Sequence, residues 1–225
     1  MRRLLVALSC VLLYSTAASA QTVTDGRAWV LITLQGRVSK SSRWRWAVDG
    51  IVRSRDGVST LDVTSVRPTI LYGLTSHTSV GGGYTFVTNY PATGGTTREQ
   101  RVFGLVTWSA PAGGGTLSWR VRVEDRLIEA NSGPLWRARP YLRFSRPFHA
   151  NGRLSWVTSD EFDLHLNTTT KAPRGVDQNR AYGGVSMAWN PRVRTEIGYL
   201  NQFQPGHGAA NKMNHVVSTT VLVSF

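Results

Sequence analysis

The chain has 225 residues, a formal net charge of +13 and a single Cys. Hydrophobic residues make up 41% and charged residues 17%, a balance that excludes a disordered, charge-dominated chain. One Cys excludes an internal disulfide and any multi-cysteine zinc or iron–sulfur site.

Residues 1–20 read as a secretory signal. Arg2 and Arg3 open it, Leu4 to Tyr14 form an apolar core too short to span a membrane, and Ala18-Ser19-Ala20 is a small-residue cleavage site. Cys10 lies inside that core, so the mature chain from Gln21 has no Cys. Losing Arg2 and Arg3 lowers the net charge from +13 to +11. Only Lys40, Lys171 and Lys212 are lysines; every other base is Arg, the side chain suited to fixed pairing with carboxylates and phosphates. The bases are spread over the whole chain with no nucleic-acid motif, so nucleic acid is not an expected partner.

Beyond residue 20 the dominant signal is period two. In 42–53, Trp44, Trp46, Val48, Gly50 and Val52 alternate with Arg43, Arg45, Asp49 and Arg53. In 117–128, Leu117, Trp119, Val121, Val123 and Leu127 alternate with Arg120, Arg122, Glu124 and Arg126. In 136–144, Trp136, Ala138, Leu142 and Phe144 alternate with Arg137, Arg139, Tyr141 and Arg143; in 192–199, Val193, Ile197 and Tyr199 alternate with Arg194 and Glu196. Weaker alternation marks 27–38, 60–74, 78–88, 98–109, 153–164, 180–189 and 213–225. Turn residues such as Asp56-Gly57, Gly113-Gly114, Asn151-Gly152 and Asn190-Pro191 separate these stretches. No helix of ordinary length and no domain boundary interrupts them.

Two all-β architectures carry such a pattern. A soluble sandwich turns the apolar face inward; a transmembrane barrel turns it outward to lipid and encloses the polar face. The long segments, the Trp and Tyr near strand ends, and the alternation of short connections (75–76, 110–115, 148–152, 190–191) with long ones (90–97, 166–178, 204–213) predict the barrel. Placing Arg120, Arg122 and Arg126 on a lipid face would cost up to about 10 kcal/mol, so the arginines belong in the lumen. The expectation is an antiparallel up-and-down barrel of ten to twelve strands, residues 21–225, in the bacterial outer membrane. About eleven strands are readable; the even-number habit of bacterial barrels favours twelve.

Asp177-Gln178-Asn179-Arg180, Gly183-Gly184, the run Glu196 to Phe203, Asn214-His215-Val216 and the terminal Phe225 together resemble a bacterial outer-membrane barrel family known as domain of unknown function 2490. Arg67-Pro68, Glu99-Gln100-Arg101, the run Arg120 to Arg126 and Ser159 to Phe162 extend the resemblance from about Trp29 to the end. It implies a small outer-membrane barrel and supplies no reaction or ligand. Phe225, ending a strand, resembles the signal read by the outer-membrane assembly machinery.

The candidate site is the lumen. Arg43, Arg45, Arg53, Arg101, Arg120, Arg122, Arg126, Arg137, Arg139, Arg143, Arg180 and Arg194 would line it, with Glu99, Glu124, Glu161 and Glu196 among them. One reading is a narrow anion-preferring pore or a site for an anionic solute, since fixed positive charge concentrates anions in a confined space. The other is a closed structural barrel, filled by Arg–Glu pairs, whose external loops bind lipopolysaccharide or a partner. A lipid hydrolase is the weakest reading: His149, His165 and His215 have no spaced Ser or Asp partner, so no catalytic residue is assigned. On a strand, Glu161 and Asp163 share one face and Asp160 the other, and pairing of Glu161 with luminal Arg is a better reading than calcium, which needs more converging oxygens. No cofactor or metal is implied.

Overall fold

The computed structural model describes residues 21–129, 133–149, 152–170 and 172–225. The signal sequence and its Cys10 lie outside the described residues, as do Ala150 and Asn151 of the turn that contains His149. Eleven strands fill the described chain: β1 (Thr22–Arg37), β2 (Trp44–Arg55), β3 (Thr60–Gly73), β4 (Thr78–Asn89), β5 (Thr97–Ala112), β6 (Gly115–Ile128), β7 (Leu135–Pro147), β8 (Leu154–His165), β9 (Gly175–Ala188), β10 (Val193–Gln204) and β11 (Asn211–Ser224). Consecutive strands pair antiparallel, and β1 pairs with β11 to close the barrel.

Eleven is an odd number, and an odd meander can close only if its first and last strands run the same way. They do: β1 and β11 are parallel, in continuous register from Thr22↔Asn211 to Gln35↔Ser224. The lean towards twelve is therefore corrected. Residues 22–27 are neither a twelfth strand nor a luminal plug; they are the first turn of pairing of β1 itself. The segment 175–178, expected in a long loop, is likewise the start of β9, with a register shift opposite Asp163/Leu164 that accommodates it.

The strand connections sort by end. Those at 56–59, 90–96, 129–134, 166–174 and 205–210 share one end with the start of β1. Those at 38–43, 74–77, 113–114, 148–153 and 189–192 share the other with the chain terminus. These are called the long-loop end and the short-turn end below.

The wall is inside out relative to a soluble protein. Val30, Ile32, Val66, Phe86, Val102, Leu142, Ile197 and Val217 are exposed on the outer face, while Asp49, Glu99, Arg122, Glu124, Arg137 and Asp163 are buried inside. Of the eight tryptophans, Trp44, Trp119 and Trp189 are exposed on the outside towards the short-turn end. Trp46, Trp108 and Trp156 share their side of the strands through the registers Trp108↔Trp119 and Trp156↔Val185 and through the parity of Trp44 and Trp46. Aromatic pairs knit this belt: Trp44 against Tyr72 at 4.9 Å, Phe144 against Trp156 at 5.1 Å, and Trp46 against the terminal Phe225 at 6.0 Å.

Glycines let strands approach where side chains cannot. A Cβ at Gly83 would sit 2.2 Å from the Pro68 carbonyl oxygen, and one at Gly81 would sit 2.1 Å from that of Ile70. The β3–β4 ladder skips the residues around Pro68, which has no N–H to give it. The Gly81-Gly82-Gly83 run thus relieves crowding of β4 against β3 and β5.

Candidate site: the arginine-filled lumen

An eight-strand barrel is just wide enough for its own side chains to fill it. Eleven strands leave more space, and long arginines from opposite sides of the wall reach into it. Three carboxylates organise them. Glu161 on β8 accepts from Arg120 (2.8 Å), Arg139 (2.6 Å) and Arg180 (2.8 Å). Glu124 on β6 takes Arg137 at 2.6 Å, Arg139 at 3.1 Å and Arg122 at 3.4 Å. Asp163, which is 0% exposed, lies within 3.3 Å of Arg137, Arg139 and Arg180. A fourth, Glu99 on β5, holds Arg101 at 2.7 Å and Arg126 at 2.5 Å.

Period two explains the convergence. Arg120, Arg122, Glu124 and Arg126 point inward from β6, and Arg137 and Arg139 point inward from the neighbouring β7 at paired registers such as Glu124↔Arg137. β8 adds Glu161 and Asp163, and β9 adds Arg180 opposite Glu161. The network continues through neutral side chains: Gln178 donates to the Asp163 carboxylate at 2.5 Å, Gln202 donates to Gln178, and Asn214 donates to Gln202 at 2.9 Å. Polar links thus run from β5 round to β11.

The charges do not balance. Seven arginines (101, 120, 122, 126, 137, 139, 180) share four buried carboxylates, with Asp177 reaching Arg137 only at 3.5 Å. Some of the surplus rests on aromatic faces. Arg122 lies 4.5 Å from the Phe103 ring, Arg120 4.7 Å from Tyr141, and Arg180 5.6 Å from Trp29. Arg53 lies 4.1 Å over Trp29 and forms no ion pair among the described residues; its Nε has no hydrogen-bond partner. An aromatic face holds a cation far more weakly than a buried carboxylate does.

This network of Arg–carboxylate pairs, called the plug below, lies between two luminal cavities. Above it, at the long-loop end, is a basin of about 350 Å³ lined by eight arginines and Lys212 against Asp62 and Asp177. Below it, at the short-turn end, is a cavity of about 440 Å³ with a more apolar lining. The two linings share only Arg67, which is held by Asp49 at 2.7 Å.

The structure places the sequence-derived residues in three groups. Glu99, Arg101, Arg120, Arg122, Glu124, Arg126, Arg137, Arg139, Glu161 and Arg180 form the plug. Arg143 and Glu196 pair at 2.6 Å in the lower half, where Arg45 donates to Ser79 (2.5 Å) and Arg194 to Ser186 (3.2 Å). Arg43 is exposed in the β1–β2 connection at the short-turn mouth, outside any strand.

Several residues of the site escaped the sequence reading. The alternation puts Asp163 on the face of Glu161 without marking it as part of the site, and Gln178, which has the parity of Arg180, becomes legible once β9 is extended back to residue 175. Tyr141 is already on the face of Arg139 and Arg143 in the sequence pattern, whereas Trp29 and Phe103 are not singled out there, since an inward aromatic reads like any core residue. His165 and His215 lie on opposite sides of the wall: His165 is 3.1 Å from an Arg126 nitrogen inside, and His215 is 2.6 Å from the Tyr199 hydroxyl outside. No serine is hydrogen-bonded to either among the described residues.

A family model described as "Protein of unknown function (DUF2490)" matches residues 26–214, from early β1 into β11. An uncharacterized protein of Methylorubrum extorquens is 29% identical over 226 residues, covering 99% of this chain and 98% of the relative. No solved structure matches.

Proposed function

Since the chain belongs to the DUF2490 family, whose description names no activity, we propose from the barrel itself that it is an outer-membrane protein that binds an anionic solute in its long-loop basin. The membrane part rests on the outer face. On β1, Ala28, Val30, Ile32, Leu34 and Gly36 share that face, and the tilted strand from Ala28 to Gly36 spans roughly 20 Å, close to the ~25 Å apolar band of such barrels. The Trp-rich belt at the short-turn end suits an interface with lipid headgroups, and Phe225 suits recognition by the assembly machinery from that side. Outer-membrane lipid and lipopolysaccharide are then the surroundings of the wall.

The ligand part rests on one observation: more enclosed arginines than carboxylates, with Arg53 left to an aromatic ring. A low-dielectric enclosure makes uncompensated like charges costly, and an anion in the basin relieves that cost. Phosphate, sulfate or carboxylate groups fit the planar, multidentate donors on offer. The plug makes a binding barrel the better reading than a steady pore, since paired side chains occupy the lumen between the two cavities.

Titrating refolded protein with inorganic pyrophosphate tests this. The expected result is saturable, salt-sensitive binding, weakened at least tenfold in Arg53→Gln and in Lys212→Gln, neither of which takes part in the plug. Planar bilayers containing the protein should show no steady conductance. Absence of binding, or equal binding by wild type and both variants, would overturn the ligand reading, and a stable anion-selective current would favour the pore.

A further inference from the structure

The lower cavity differs in chemistry from the basin above the plug. Four leucines on four strands, Leu31, Leu71, Leu105 and Leu222, line it. At its inner end stand Arg120, paired with Glu161, and Arg122, 3.4 Å from Glu124; their Nε atoms have no hydrogen-bond partner, and Arg122 is 3% exposed. Leu105 lies directly opposite Arg122 in the β5–β6 register, so a leucine and a guanidinium meet at the same level of the wall. Towards the short-turn mouth the lining passes through Thr107, Gln35 and Arg194, residues that also line cavities at that mouth. The cavity therefore combines inner guanidinium groups with four leucines, beside the wall pairs Arg67–Asp49 and Arg143–Glu196, and lies on the side away from the long loops.

We propose that this cavity binds an anionic amphiphile: a fatty-acid-like carboxylate whose head meets Arg120 and Arg122 and whose tail lies among the leucines. Water in such a space satisfies the guanidinium groups but gains nothing from the leucines, whereas an alkyl carboxylate satisfies both. At roughly 30 Å³ per water-sized group, the ~440 Å³ volume holds about fourteen heavy atoms, enough for a carboxylate with an eight- to ten-carbon chain. The ligand enters from the short-turn end, the side on which the aromatic belt and Phe225 lie. This site is independent of the pyrophosphate-binding basin, because the plug stands between them.

Photolabelling at residue resolution tests it. Protein in lipid nanodiscs is irradiated with a ten-carbon carboxylate carrying a mid-chain diazirine, and adducts are mapped by mass spectrometry. The expected adducts fall on Leu31, Leu71, Leu105 or Leu222. Unlabelled carboxylates should compete, with potency rising roughly fourfold per methylene from six to ten carbons. The alcohol of the same chain length should label these positions at least tenfold less. Adducts confined to the outward neighbours Ile32, Val106 and Val223, where bilayer lipid would meet the probe, overturn the proposal. So does equal luminal labelling by the alcohol. Pyrophosphate titration of the same sample reads the upper basin separately, so each site can fail without the other.

Discussion

Glu161 shows how one side chain settles the state of the lumen. It is the shared acceptor of Arg120, Arg139 and Arg180, contributed by three strands. Replacing it by Gln keeps the shape and removes the one carboxylate that, among the described residues, all three cations share. The expected cost is about 3–5 kcal/mol, the usual penalty for stranding buried charge, read as a lower urea midpoint for Glu161→Gln in detergent. Glu196→Gln should cost clearly less, because Glu196 serves Arg143 alone and both are more exposed, at 14% and 26%. Equal losses in the two variants would contradict the idea that Glu161 organises the plug. The alternation of Arg with apolar residues in 117–128 and 136–144 made this inward arginine face legible. It did not show which acid each Arg meets, since that depends on strand neighbours and stagger. Nor did it show Arg53 on Trp29, because a lone inward Trp carries no pattern of its own.

Periodicity reports the faces of a strand and is silent about its neighbours. The eleven segments could be read from their alternation, yet the closing pair could not. An even antiparallel barrel and an odd one with a parallel seam present the same strand-by-strand signal. Only the register of β1 with β11 distinguishes them, and it places Ala28 beside Val217 on the outer face. The doubly substituted protein, Ala28→Cys with Val217→Cys, should form an intramolecular disulfide on oxidation, since paired strand residues meet the Cα spacing a disulfide needs. A faster-migrating, reductant-sensitive band in a denaturing gel is the expected result. Pairing β11 with any strand other than β1 would leave the two thiols apart and free. The same blindness to neighbours hid the start of β9: Asp177 and Gln178 look like loop residues until Gln178 is set opposite Asp163.

At the scale of the whole molecule, the distribution of polarity carries the account. An exposed apolar wall this extensive has no stable place in water, and a charged interior this dense needs a closed wall around it. The proposed setting in lipid meets both requirements, and the proposed anion basin and amphiphile cavity would then lie at opposite mouths of the barrel. Tryptophan fluorescence in vesicles of acyl-chain-brominated lipid tests that placement most directly, because bromine quenches only indoles in contact with the chains. The expected result is strong quenching that Trp29→Phe leaves almost unchanged, since Trp29 is 8% exposed and faces the lumen while Trp44, Trp119, Trp136 and Trp189 face outward. Protein that stays in the aqueous phase, or that binds the vesicles without loss of fluorescence, would contradict it.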